Sequence, residues 1–335
     1  MLRSRFMLPF GGIVLLFVLY TVYWFFAGSK IQASVEDWIS DQEAAGYAIE
    51  HQGIRMGGFP FRFQVRIVSP TIAAPQIEGG WETQFAELRG NAMPHDLSLW
   101  RVDFYGPMLL NDYIEPGSRL QIDAARAAFS LSHNSDGQTE RVGATIEQLA
   151  ITTLAGPAPD VSAIEELLIG SAVEDSDALR LRIEARGVTA APEALEPDVI
   201  RAFGQTADVM KVNLTVSEWS TLARSADANA WTRAGGQLEI VSAELGWGPA
   251  HLTGTGEFTL DAMARPDGRL SLRITDPDAL ADALVEGGLV PRENEEALRL
   301  AAMLAPRSPE GVSLPFRVND GGIYIGPVRI GSLDR

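Results

Sequence analysis

From Phe6 to Ser29 the chain runs for 24 residues without a charge, "FMLPFGGIVLLFVLYTVYWFFAGS". At about 1.5 Å per residue, a helix of that length spans about 36 Å, against a bilayer core of about 30 Å. Arg3 and Arg5 precede the run. Tyr20, Tyr23 and Trp24 sit near its far end, where an aromatic belt meets the interface. Lysine occurs only at Lys30 and Lys211 while the other 25 basic residues are arginine, the usage of a GC-rich bacterial genome. Together these features predict a single-pass anchor in a bacterial inner membrane through Phe6 to Phe26. The N-terminus then lies in the cytoplasm and the bulk of the chain in the periplasm. Ala27-Gly28-Ser29 offers the rival reading of a signal-peptide cleavage site. A signal h-region usually has only about 7–15 residues, so the length favours the anchor.

The charge after the anchor narrows the partners. The whole chain carries −17, and removing Arg3 and Arg5 from that total leaves −19 on the remainder. Such a surface repels nucleic acid and anionic headgroups, so no nucleic-acid partner is expected. The chain has no cysteine, which excludes disulfides, thiolate metal sites and a cysteine nucleophile.

Beyond the anchor the apolar period changes. Ser34-Val-Glu-Asp37 resembles a capping box, with Val35, Trp38 and Ile39 at helical spacing, and Gly46 follows. This predicts a juxtamembrane helix. "GGFPFRFQVRIVSP" then places Phe59, Phe61, Phe63, Val65 and Ile67 at alternate positions, opposite Pro60, Arg62, Gln64 and Arg66. That is the pattern of a half-buried strand. Tyr47 to Met56 reads as its antiparallel partner, Gly57-Gly58 as a two-residue hairpin turn, and Pro60 as the mark of an edge. Alternation recurs at Leu179–Ile183, Val212–Val216, Leu238–Ile240, Phe258–Leu260 and Leu270–Ile274. Leu97–Phe104 switches phase once, as a bulge would, and Phe129 and Leu131 are out of phase with Leu120, Ile122 and Ala124. A closing hairpin turns at Asn319–Gly322, and "GPVRIGSL" continues it after Gly326-Pro327.

Short helices punctuate the strands. They are predicted from the capping box Ser162-Ala-Ile-Glu165, from Pro197, over Glu218–Ala226, from Asp276-Pro277 to Gly287-Gly288, and over Pro291–Leu304. The expected class is α+β: an N-terminal transmembrane helix, then a mainly antiparallel, curved β-sheet with short interspersed helices. The parts are a cytoplasmic tip and anchor over 1–29 and a juxtamembrane helix over 30–46. A first β-rich half follows over 47–190, and a second over 191–335 carries two helices near 277–304. The soft boundary is "TAAPEALE" at Thr189–Glu196.

Chemical motifs are sparse. His51, His95 and His251 have no second ligand at i+3 or i+4, and His133, with Asp136 at i+3, lies in the turn sequence "HNSDG", so no helical metal site is expected. No G-x-S-x-G elbow and no phosphate loop occurs. "GTGEF" at Gly254–Phe258 is glycine-rich without the helix a phosphate loop needs. The pairs Glu165-Glu166 and Glu295-Glu296 read as helix surface. No cofactor, no metal and no catalytic residue is expected, and the chain reads as a non-enzyme. The one candidate ligand site is the apolar face of Phe59, Phe61, Phe63, Val65 and Ile67, read as packed core or as a groove for acyl chains.

The anchor ending "YWFFAG", "GFPFRF" at Gly58–Phe63, "GEFTLDAMARPDGRLSLRI" at Gly256–Ile274 and the closing "GGIYIGPVRIGSL" together resemble a bacterial family, domain of unknown function 2125. The resemblance implies no activity or catalytic residue. A more distant likeness, to AsmA-type periplasmic proteins, rests on one N-terminal anchor and on "G-x-F-x-L-D … G-x-L" strand motifs. It implies a role in envelope lipid homeostasis. The expected function is therefore a non-catalytic, membrane-anchored periplasmic protein that binds or transfers lipid in cell-envelope maintenance. The alternatives are a periplasmic scaffold with a fully packed core and a hydrolase with an unrecognised site. Lipid is the partner the first reading names; no protein partner is specified.

Overall fold

The computed structural model describes residues 4–134, 137–174, 176–225, 227–261, 263–291, 293, 295–296, 307–308, 311–325 and 328–332. Helix α1 runs over Ser4–Ala44 without a break, and it is long and apolar enough to cross a membrane. The separate juxtamembrane helix expected from Ser34 is therefore corrected. Ser34 is not a cap: its Oγ donates to the Lys30 carbonyl one turn back, at 3.0 Å. Nothing between Gly28 and Ser34 interrupts the helical hydrogen bonds, so the polar turn simply extends the apolar helix. Gly46, with φ of 100°, follows its end. After α1 comes a large, open, antiparallel sheet with few short helices. The chain divides into two units, residues 1–138 with 153–157, and residues 139–152 with 158–335.

The first unit is a meander of bent strands. Its pieces are β1 (Ala48–Glu50), β2 (Ile54–Gly57), β3 (Phe63–Val68), β4 (Thr71–Ala73), β5 (Glu82–Gln84), β6 (Glu87–Met93), β7 (Asp96–Tyr105), β8 (Met108–Asn111), β9 (Arg119–Asp123) and β10 (Arg126–His133). One ladder joins β2, β3, β6, β7 and β10, and a second joins β1, β4, β5, β8 and β9. Each long strand contributes one piece to each ladder and bends between them. The bends fall where the backbone cannot continue a ladder. Pro70 and Pro107 lack the N–H donor, and Ser69 and Gly106 have positive φ, 47° and 75°. The corner is held by Ser69 N–H to the Ala86 carbonyl at 2.9 Å and Phe85 N–H to the Pro70 carbonyl at 3.1 Å. A Cβ on Gly106 would lie 2.7 Å from that of Ala86, so the bend also needs a glycine. This corner accounts for the phase change between Ile122 and Phe129. The bulge read at Leu97–Trp100 is present, since Ala92 pairs with Trp100 while Met93 pairs with Asp96.

On this unit's polar side Glu87 accepts from Arg66 at 2.6 Å and from Arg89 at 2.6 Å. These guanidinium groups, Arg66 foremost, hold the Glu87 carboxyl at about 2, below its ordinary 4.5, against the opposing effect of burial. A depressed carboxylate stabilises the fold fully above its unfolded value, and that contribution is lost as pH falls toward the folded value. Glu87→Gln is therefore expected to cost about 1 kcal/mol at neutral pH, screening having reduced the larger figure the shift alone implies. It should also flatten the loss of melting temperature between about pH 4.5 and 2, read by thermal denaturation across pH.

The second unit is a longer meander. Its strands are β11 (Thr139–Ala155, as far as Thr152), β12 (Val161–Val173), β13 (Leu179–Ala190), β14 (Thr206–Val216), β15 (Leu238–Trp247), β16 (Ala250–Leu260), β17 (Pro266–Ile274), β18 (Arg307–Ser308), β19 (Gly311–Asn319), β20 (Gly322–Ile325) and β21 (Val328–Ser332). Each pairs antiparallel with the next, except that β17 pairs with β19 and the short β18 flanks β19. The helices are α2 (Pro197–Phe203), α3 (Trp219–Ser225), α4 (Ala228–Arg233) and α5 (Pro277–Gly287). Pro197 and Pro277 occupy the first helical turns, as read. The Asn319–Gly322 hairpin closes on Asp320 and Gly321, both with positive φ.

Two expectations fail here. The helix from Ser162 is strand β12, and Glu165-Glu166 lie on that strand. Pairing with β11 on one side and β13 on the other overrides the capping signal. The Ser162 hydroxyl instead donates to the carbonyls of Thr189 and Ala190, both at 3.2 Å. "TAAPEALE" is the connection from β13 to α2 inside the second unit. The helix expected over Pro291–Leu304 lies mostly outside the described residues, as do Gly326 and Pro327.

Candidate functional site

The five alternating residues do not share one strand face. Strand β3 begins only at Phe63. Residues Gly58 to Arg62 form a turn, in which the Gly58 carbonyl accepts from Phe61 N–H and Arg62 N–H, both at 3.1 Å. The Phe59–Pro60 peptide is cis. Gly57 belongs to β2, so Gly57-Gly58 is not the two-residue turn expected; a proline-containing turn of five residues takes its place. Phe63 and Val65 are buried at 0% and 4%, Phe59 is 38% exposed, Phe61 is 82% exposed and Ile67 is half-buried.

What covers Phe63 is the chain's own helix α1. The Trp24 ring stacks on Phe63 at 5.2 Å and meets Phe59 edge-on at 5.4 Å. Phe25 stacks on Phe59 at 5.7 Å, and Tyr23 meets Phe63 edge-on at 6.5 Å. The hairpin packs directly on the helix at Gly28, where a Cβ would sit in ordinary van der Waals contact with Met56 and Phe63. The polar tips of the helix also find partners. The Tyr20 hydroxyl donates to the Pro60 carbonyl, Trp24 Nε1 to the Arg62 carbonyl at 3.3 Å, and the Tyr23 hydroxyl to the Pro94 carbonyl at 3.0 Å. This patch is a docking seam between helix and sheet.

The larger apolar surface lies in the second unit. Pairing registers carry one row across seven strands: Leu181, Leu214, Ile240, Gly256, Leu270, Phe316 and Ile325. Beside it runs Ile183, Val212, Ala243, Gly254, Leu272 and Leu314. A bulge at Val241 restores the phase between Asn213 and Leu214. Gly254 and Gly256 of "GTGEF" are thus positions in a strand, with Leu272 and Leu270 leaning over them.

This face is only half covered. Leu181, Ile183, Val212, Leu214, Leu252, Phe258, Leu270, Leu272 and Leu314 are all half-buried. A face closed by a second layer would bury such side chains almost fully. Among the described residues of this unit, the buried apolar side chains larger than alanine are Trp231 and Val312. Among the described residues, the helices lie at the strand ends. At one end α2 meets α5, with Arg201 donating to the Gly287 carbonyl at 2.8 Å, and Phe203 packs on Trp247 at 5.2 Å. At the other end Trp231 of α4 donates to the Ser217 carbonyl at 2.7 Å.

The opposite face is polar and internally paired. Glu184, 4% exposed, bonds Arg182 and Arg186 at 2.8 Å each, and Lys211 lies 3.8 Å away. Lys211 also reaches Glu244 at 3.1 Å, and Asn213 donates to Ser242 at 2.7 Å. These cations, Arg182 foremost, hold the Glu184 carboxyl below its usual range. Its charge is therefore satisfied within the sheet. Among the described residues, no three His, Cys, Asp or Glu side chains gather as a metal site. His51 turns back to accept from Gly53 N–H at 3.1 Å, His95 lies beyond β6, and His133 and His251 end β10 and enter β16.

Residues 24–334 match a family model described as "Uncharacterized protein conserved in bacteria (DUF2125)". No curated protein and no solved structure matches the chain.

Proposed function

The chain belongs to this bacterial family, domain of unknown function 2125, and we propose that it is a non-catalytic, membrane-anchored protein that holds or hands on lipid acyl chains. In this reading α1 crosses the inner membrane with its N-terminus in the cytoplasm, and both units stand in the periplasm. The acyl chains lie along the apolar face of the second unit. One observation carries the proposal: apolar side chains in two adjacent rows across six strands, from β13 to β17 and on to β19, are left half-exposed. A soluble protein rarely leaves so much contiguous apolar surface without an occupant. The polar face is unsuited to that role, because its charges already satisfy one another. A role in cell-envelope maintenance, and the AsmA-type likeness, belong to the same reading.

Native mass spectrometry of protein extracted into lipid nanoparticles without detergent, followed by release, tests it. Adducts with phospholipid mass are expected, together with uptake of a fluorescent fatty acid. Clean apo-protein with no uptake would contradict the proposal and favour a scaffold.

A further inference from the structure

We infer that the Gly58–Arg62 turn is a second membrane-contact element, inserted at the headgroup–acyl boundary of the leaflet from which α1 emerges. The inference rests on the reading of α1 as a membrane span. Its ground is an overlap. A helix needs about 20 residues to cross a bilayer core. Even a span starting at Phe6, directly after Arg5, therefore uses residues up to Phe25. Yet the turn packs against that same stretch: Phe59 meets Phe17 at 6.2 Å, Tyr20 at 6.5 Å, Trp24 at 5.4 Å and Phe25 at 5.7 Å. Phe17 lies about 18 Å along the helix axis from Ser29, the last residue of the uncharged run. A turn at this level cannot stand in bulk water while α1 spans the bilayer.

The turn is built for that depth. Its tip, Phe59-Pro60-Phe61, is apolar, and Phe61 is 82% exposed. Lipid offers no hydrogen bonds, so backbone groups entering it need internal partners. Here the Gly58 carbonyl takes the Phe61 and Arg62 N–H groups, Pro60 has no N–H, and helix side chains donate to the Pro60 and Arg62 carbonyls. Tyr20 and Trp24 are thereby satisfied as well, which a lipid-facing helix alone would not achieve. Arg62 adjoins the tip, exposed and long enough to reach headgroups. A second tip follows the same plan: Met93 is 52% exposed, and the neighbouring Pro94 carbonyl accepts from Tyr23. The aromatic belt of this anchor is thus completed by residues outside the helix.

The chain lacks cysteine, so single-cysteine labelling needs no background removal. Phe61→Cys, Val18→Cys and Thr255→Cys would each carry an NBD fluorophore in the full chain, reconstituted in phosphatidylethanolamine–phosphatidylglycerol vesicles. Val18 reports the span and Thr255 the aqueous face; each is exposed on the protein, so the label fits. The expected result is blue-shifted emission at positions 18 and 61, quenched by doxyl-labelled lipid and protected from iodide, with the reverse at 255. Lipid exposure at 18 with iodide quenching at 61 equal to that at 255 would overturn the insertion alone. Iodide quenching at both 18 and 61 would overturn the spanning reading, and the insertion with it.

Discussion

Phe63→Ala is expected to lower the stability of the first unit by about 3–5 kcal/mol, the cost of deleting a fully buried ring and leaving its cavity. Phe61→Ala, two residues away with a side chain that is 82% exposed on the protein, should stay within about 0.5 kcal/mol. Phe63 is 0% exposed beneath the Trp24 ring, and Trp24 itself is 3% exposed. Trp24→Ala should therefore cost a similar amount, and the double variant much less than the sum, because both remove one contact. Thermal melting of the full chain in nanodiscs, with α1 present, reads all four variants. Equal effects of Phe61→Ala and Phe63→Ala would contradict the seam between helix and sheet.

The pair Leu214→Arg and Leu270→Arg should lower recovered phospholipid about tenfold, since an unpaired charge beside an acyl chain costs well over 1.4 kcal/mol. Both leucines lie in the long apolar row, with Ile240 and Gly256 between them. Both are half-buried, so the guanidinium groups reach water in the empty protein and the fold survives. Asn213→Arg, next in sequence but on the polar face, should leave lipid recovery unchanged. Native mass spectrometry of the three proteins is the measurement. Unchanged adducts in the double variant would remove the apolar face as the site.

Much of this architecture was legible in the chain, because period-2 alternation survives wherever one face of a strand meets a different environment from the other. That is why β13, β14, β17 and the β19–β20 hairpin fall where the leucines and isoleucines place them. The signal failed where a short motif was read without its neighbours. Ser162-x-x-Glu165 looks like a helix start, yet two flanking strands claim its backbone. Phe59 and Phe61 keep the alternating spacing of a strand, yet they sit in a proline turn. The role of α1 in covering Phe63 could not be read locally, since Trp24 and Phe63 meet only through tertiary packing. The site followed the same rule. The phenylalanine stretch stood out because it is dense in aromatics, and it proved to be an internal seam. The half-open face of the second unit was spread over seven strands, each ordinary by itself. Only the registers show that Leu181, Leu214, Leu270 and Phe316 form one row.

The central claim is that this row, and not the polar face, holds acyl chains, and neighbouring residues on one strand can decide it. A photo-activated benzoylphenylalanine would be placed at Leu214 in one protein and at Asn213 in another, then irradiated in living cells and analysed for covalent lipid. Lipid attached at 214 and absent at 213 is the predicted result. No lipid at 214, or equal capture at both positions, would contradict it.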